Sequence, residues 1–212
     1  KTGVVSTNAM INVNKIVIKA KMVCLDVVVP EYFVGAPSIS LYGVNAQDHS
    51  GSGIRVKGTV EERLDLRIRS FSVSSSVPGS YERTDAIGGI TLALGGPGVL
   101  RAALQGDVSD GAGHGISVSS APADTIVNIT SSTLSSMELD GLYIGSPCEV
   151  NAVGLSSENN LLQGIYLCSG SKLTVGGRSS MVRGNQEGGI HTEPNTVVTL
   201  SGVNCSLNKG PG

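Results

Sequence analysis

Tryptophan is absent, and only two Phe and five Tyr supply aromatic rings. A bulky globular core is thereby excluded, because any core must be assembled from Val, Ile, Leu and Ala. Charge is sparse at 15%, with a net value of -2, which favours neither a nucleic-acid partner nor an acidic membrane surface. No apolar run approaches the roughly 18 residues that spanning a bilayer requires, so direct membrane insertion is not expected. No stretch keeps a 3.6-residue period over a dozen positions, which excludes helical repeats. The four cysteines (Cys24, Cys148, Cys168 and Cys205) show no CxxC spacing, so no zinc site is expected. They read as buried single thiols rather than a disulfide framework. The opening Lys1-Thr2-Gly3 has no Met and no signal-peptide core after it. It reads as a mature product, an excised piece or part of a longer chain.

What is present is glycine, serine and repetition. Gly141-Leu-Tyr-Ile, Gly164-Ile-Tyr-Leu and Gly189-Ile-His-Thr each open a unit, and the spacing is 23 residues, then 25, then 23 to Gly212. Self-similarity at this period marks a solenoid, in which each unit packs mainly on its neighbours. Ahead of the unit glycine, in four of six units, apolar pairs recur with the strand period of two: Ile39 and Leu41, Val127 and Ile129, Val150 and Ala152, Val198 and Leu200. After it come Ile54 and Val56, Ile90 and Leu92, Ile116 and Val118, Leu142 and Ile144, Ile165 and Leu167. Each unit is therefore predicted to hold two or three short strands joined by tight corners.

Neither a leucine-rich motif nor a hexapeptide rhythm is found. The expectation is a right-handed, single-stranded parallel β-helix over residues 37–212, of about seven coils and a length on the order of 35 Å at ~4.8 Å per stacked strand. Residues 1–36 are β-branched but lack the glycine-led unit, and read as an irregular first coil or cap. Two places break the repeat. Ser74–Asp85, around Val77-Pro78-Gly79, reads as an inserted loop, and Gly95-Gly-Pro-Gly98 as a second loop signal. Insertions in solenoids tend to carry binding surfaces, so function is expected between Gly53 and Gly115.

Asn160, Asn185 and Asn208 each lie four residues before the unit glycine. Stacked in equivalent corners they should form an amide ladder, with Asn supplying the left-handed backbone conformation. His49 and Met137 hold that place in earlier units.

On these residues the chain resembles the pectin-lyase-like superfamily of right-handed β-helices. It is also loosely similar to bacterial surface passenger proteins with alternating GG-aliphatic and aromatic-x-x-Asn motifs. Gly88-Gly-Ile90 and Gly188-Gly-Ile190 match the first motif, whereas Val182-Arg-Gly-Asn185 and Cys205-Ser-Leu-Asn208 match only the end of the second. Phage tail spikes belong to the same broad fold family. Gly113-His114-Gly115-Ile-Ser resembles the GHGIS stretch of polygalacturonase-type hydrolases, and that resemblance would make His114 neighbour catalytic acids, with Asp107 and Asp110 the nearest. Sugar hydrolysis needs two carboxylates at a set separation. The preceding coil, however, offers Thr91 and Leu92, and the family's Arg-Ile-Lys motif is replaced by Leu142-Tyr143-Ile144. His114 is accordingly expected to face solvent as this unit's variant of the glycine-led start.

A lyase would need a basic proton abstractor. Arg55, Lys57, Arg63, Arg67 and Arg69 fall in one unit, and alternation puts them on an outer face. There Arg55, Lys57, Arg67 and Arg69 could dock an acidic polysaccharide, or simply be solvated and paired with Glu61, Glu62 and Asp65. Asn128-Ile-Thr130 and Asn204-Cys-Ser206 are possible N-glycosylation sites at Asn128 and Asn204. Nothing implies a metal or cofactor. The reading is a non-catalytic structural or adhesive module of an extracellular, cell-surface or virion-surface protein, with a glycan or neighbouring modules of its assembly as partners. The alternatives are a polysaccharide-degrading enzyme and a tail-spike module.

Overall fold

A computed structural model describes residues 11–14, 17–19, 23–29, 36–49, 51–74 and 88–210. Most of the Ser74–Asp85 loop, with Pro30, Gly35 and Gly212, lies outside the described residues. The chain is a parallel β-solenoid of about six turns, with no helix among the described residues, one turn fewer than the repeat count suggests.

One face is a seven-stranded sheet whose strands stack in the order Leu25–Val29, Ile54–Thr59, Gly88–Gly95, His114–Ser120, Leu142–Ile144, Gln163–Leu167 and Gly188–Thr192. The other sheet stacks Ile11–Asn14, Ser38–Tyr42, Arg63–Ser74, Val99–Ser109, Ile126–Ser135, Glu149–Glu158, Lys172–Gly176 and Val197–Ser201. Its longer strands bend, and their second halves continue the pairing through Val17–Lys19 and Asn45–Gln47 at one end, and Met181–Arg183 and Asn204–Ser206 at the other. Ile11–Asn14, Val17–Lys19 and Leu25–Val29 thus stack as a first coil on the one that follows.

The apolar spacing in the sequence becomes columns of stacked side chains. Ile39, Leu66, Ala102, Val127, Val150, Leu173 and Val198 are successive register partners. Across the core, Ile54, Ile90, Ile116, Leu142, Ile165 and Ile190 form the facing column. Alternation is sharp: Leu64, Leu66 and Ile68 are fully buried, while Arg63, Arg67 and Arg69 between them are exposed. Aliphatic side chains suit this layout because the interior is only one side chain deep from each wall.

Left-handed corners are also stacked. Ser70 (φ 52°), Ser131 (φ 47°) and Gly154 (φ 68°) bend the long strands. Asp110, Ser136, Asn159 and Leu207, with φ between 55° and 58°, form a second corner. The left-handed residue is therefore the one before each ladder asparagine, not the asparagine itself. Gly95-Gly-Pro-Gly98 is a tight corner rather than a projecting loop, because the amide of Gly98 donates to the carbonyl of Val60 one coil below at 2.8 Å.

The asparagine ladder forms as expected. The side-chain oxygen of Asn160 accepts the amide of Met137 at 3.0 Å, that of Asn185 accepts the amide of Asn160 at 3.0 Å, and that of Asn208 accepts the amide of Asn185 at 3.0 Å. The ladder explains the unit glycines. A Cβ on Gly164 would lie 2.6 Å from Asn185 Nδ2 and 2.4 Å from a methyl of Val182. No side chain fits between the strand and the ladder, so the repeat's most visible residue is set by steric exclusion.

Cys24 and Cys148 are buried as expected, and Cys148, Cys168 and Cys205 are free thiols. Cys205 is exposed, against expectation. It occupies the inward position that Val182 holds one coil earlier, but its strand pairs with only one described strand, on the Val182 side.

Candidate functional site

The basic residues of one unit divide between two sheets. Arg55 and Lys57 lie on the strand Ile54–Thr59, and Arg67 and Arg69 on Arg63–Ser74. A single basic face is thereby ruled out, because a corner of the coil intervenes. Arg55 grips Asp26 of the preceding coil through Nε at 3.0 Å and Nη2 at 2.8 Å, and Lys57 reaches the same carboxylate at 3.1 Å. These hydrogen bonds, Arg55's first, hold Asp26 below the usual carboxylate range against a smaller opposing effect of burial. Arg63 pairs with Asp65 at 3.0 Å, as alternation suggests. Asn128 and Asn204 are both exposed on strands.

The structure does not gather Asp107 and Asp110 around His114. Asp107 is on the other sheet, where its carboxylate accepts the amide of Thr133 at 3.1 Å. Asp110 is a left-handed corner residue. Strand register sets Gly88 opposite His114, and Thr91 opposite Ser117. His114 is 2% exposed, not solvent-facing, because a ring and a carboxylate from the next coil cover it.

The carboxylate is Asp140, whose Oδ2 lies 3.1 Å from His114 Nδ1. The Asp140 amide approaches the same nitrogen at 3.2 Å. Protonated Nδ1 donates to the carboxylate, and unprotonated Nδ1 accepts the amide N–H, so the ring is held in one orientation in either state. Asp140 Oδ1 accepts the amide of Gln163 at 2.8 Å, which ties the pair to a third coil. His114 Nε2 is buried and has no hydrogen-bond partner among the described residues.

The ring over His114 is Tyr143, and the stack continues. Centroid separations are 4.3 Å from His114 to Tyr143, 5.1 Å to Tyr166 and 5.3 Å to His191, with interplanar angles between 6° and 19°. Tyr143, Tyr166 and His191 are register partners on adjacent strands of the seven-stranded sheet. Their vertical spacing is that of the strands, so stacking follows from the fold. Beside the stack lies a groove of about 490 Å³ that also takes in Asp140, Gln163 and Glu187. Gln163 Nε2 donates to Glu187 at 3.3 Å. The Tyr166 hydroxyl donates to Glu193, which also accepts the amide of Ser169 at 2.9 Å. Both bonds, Tyr166's first, lower the pKa of Glu193, and the carboxylate in turn pushes that of Tyr166 up.

Ring faces inside the stack are taken up by one another. The groove therefore presents ring edges and hydrogen-bonding groups rather than a flat platform. Most of it lies beyond Gly115, outside the stretch where the broken repeat directs attention. The signal was present in the sequence as the third residue of each unit opening: Tyr143, Tyr166 and His191.

Among the described residues no group of three or more His, Cys, Asp or Glu is placed to hold a metal ion. Among the described residues no helix is long and apolar enough to cross a membrane. No family model, curated protein or solved structure matches the chain.

Proposed function

We propose that this chain is a non-catalytic, adhesive β-solenoid module of an extracellular, cell-surface or virion-surface protein, with the pectin-lyase-like type of coil, and that its ring-lined groove contacts a glycan. The observation that carries the proposal is the coincidence of the four-ring stack with a groove edged by Gln163, Glu187 and the His114–Asp140 pair. Such a surface offers hydroxyl groups several donors and acceptors on a rigid wall, so little ordering entropy is lost on binding. The carboxylates nearest the stack are already engaged: Asp140 with His114 and Gln163, Glu187 with Gln163, and Glu193 with Tyr166 and Ser169. They serve as struts between coils, which supports a holding rather than a cutting role.

The test is calorimetric titration with neutral cello-, xylo- and galacto-oligosaccharides. The chain should bind at least one of them, and Gln163→Ala with Glu187→Ala should weaken that binding by roughly tenfold, the loss of one or two hydrogen bonds. Binding by none of the probes, or unchanged binding by the double variant, overturns the groove assignment.

A polysaccharide-cleaving reading draws on a different observation, the buried His114 with a carboxylate on one nitrogen and no described partner on the other. It requires saccharide release that His114→Ala abolishes. A tail-spike reading requires a trimer mass in solution.

A further inference from the structure

Arg67 and Arg69 are the two members of the basic unit that the fold leaves unused. Both are exposed. Arg55, Lys57 and Arg63 each hold a carboxylate, whereas no hydrogen bond or ion pair ties Arg67 or Arg69 to any described residue. They point the same way from one strand, two residues apart, which sets their Cα atoms roughly 6.8 Å apart.

The neighbours on that face are neutral. Arg67 lies between Ser40 and Ala103, and Arg69 between Tyr42 and Gln105. The nearest acid along the strand, Asp65, is taken by Arg63 through Nε at 3.2 Å and Nη2 at 3.0 Å. One coil on, Arg101 is the register partner of Asp65 and directs a guanidinium N–H to the carbonyl of Asp124 at 3.3 Å. Across the paired strand residues 38–42, 63–69 and 99–105 there are thus four guanidinium groups against one carboxylate, with Glu61, Glu62 and Asp124 in the flanking corners, on a chain whose net charge is -2. A local field opposite in sign to the whole chain is what concentrates an anionic partner at one place. Exposed Tyr42, beside Arg69, adds an apolar ring edge and a hydroxyl.

We infer that the Arg67–Arg69 pair is a docking site for a linear anionic polysaccharide, bearing carboxylate or sulfate groups at regular intervals. Guanidinium groups pair bidentately with either anion. A flat β-face with cations at fixed spacing suits a polymer lying along it better than a single small anion. The site is on the opposite sheet from the ring-lined groove and does not depend on it, so either assignment stands or falls alone.

The experiment uses the full chain in surface plasmon resonance over immobilised polygalacturonate, a heparin-type sulfated chain and neutral dextran. Arg67→Gln with Arg69→Gln is compared with a charge-matched control, Arg178→Gln with Lys209→Gln, at two exposed positions elsewhere. The native chain should bind at least one of the two anionic polymers and not dextran, with affinity falling as salt rises. The arginine variant should lose tenfold or more while the control changes less than twofold. Preference between the two anionic surfaces tells carboxylate from sulfate. Equal losses in both variants, binding to neither anionic polymer, or equal arginine-dependent binding to duplex DNA would each overturn the assignment. Circular dichroism keeps the result interpretable, since exposed substitutions on one strand should leave the β-spectrum unchanged.

Discussion

Asn160 and Asn185 are joined twice across adjacent coils. The side-chain oxygen of Asn185 accepts the backbone N–H of Asn160 at 3.0 Å and its side-chain N–H at 2.9 Å. Both residues are fully buried, so each stacked coil depends on the next for a polar partner that water cannot replace. This ladder, rather than the thin aliphatic core alone, fixes the register of the C-terminal coils.

Replacing Asn185 with Ala removes the acceptor of two N–H groups and the donor to Ser157 and Asn208. The expected cost is about 2–4 kcal/mol, because buried donors are left unsatisfied. Urea unfolding measures it. A loss below about 0.5 kcal/mol would mean the ladder is incidental.

Gly141 and Gly95 should respond oppositely to Ala. A Cβ on Gly141 would sit 2.0 Å from Ser157 Oγ and 2.8 Å from the Gly164 carbonyl oxygen. Overpacking there should cost about 1–3 kcal/mol. At Gly95 a Cβ meets nothing within 4 Å, so the change should be neutral or stabilise by up to about 1 kcal/mol through the unfolded chain. Parallel thermal melts of the two variants settle the contrast.

Acid should loosen particular contacts between coils. Asp26 is held low chiefly by the Arg55 hydrogen bond, Glu158 by Ser156 and then Arg183, and Glu193 by Tyr166 and then Ser169. A carboxylate whose folded pKa is depressed contributes stability above its unfolded pKa, about 4, and loses it as pH falls through the folded value. Stability should therefore be flat with pH above about 5 on account of these groups and decline below about 4. Asp26→Asn, which loses the charge but keeps much of the shape, should be less stable than the native chain at pH 7 and close that gap as the pH drops. A gap independent of pH would contradict this.

Native-state thiol labelling should separate the cysteines. Cys148 is buried, and burial first, then nearby Cys168, pushes its thiol up to about 12. It should resist labelling at pH 8 until the chain unfolds, whereas Cys205, exposed although partial burial raises its thiol too, should react first. Mass spectrometry of the labelled peptides reads the order, and early modification of Cys148 would contradict the packing.

How much of this was legible is clear from particular residues. The apolar pairs, such as Val150 with Ala152, showed strand and stack together, because a solenoid repeats one coil's pattern in every coil. The Asn160–Asn185–Asn208 spacing showed the ladder for the same reason. His114 did not show its burial: nothing in Gly-His-Gly marks which partner covers the ring, and Asp140 lies 26 residues on. The split of Arg55 and Lys57 from Arg67 and Arg69 was hidden too, since alternation gives inside and outside but not which wall of the coil. Asp110 looked like an acid beside a histidine, and its corner role emerged only from the backbone angle.

The most direct test of the account is whether the chain holds polysaccharide without cutting it. Polygalacturonate, heparin-type chains and xylan are each incubated with the protein and run on size-exclusion chromatography with light scattering. The account predicts polymer lengths unchanged after prolonged incubation, with protein co-eluting with at least one polymer. Polymer shortened by the native chain and left intact by His114→Ala would contradict it.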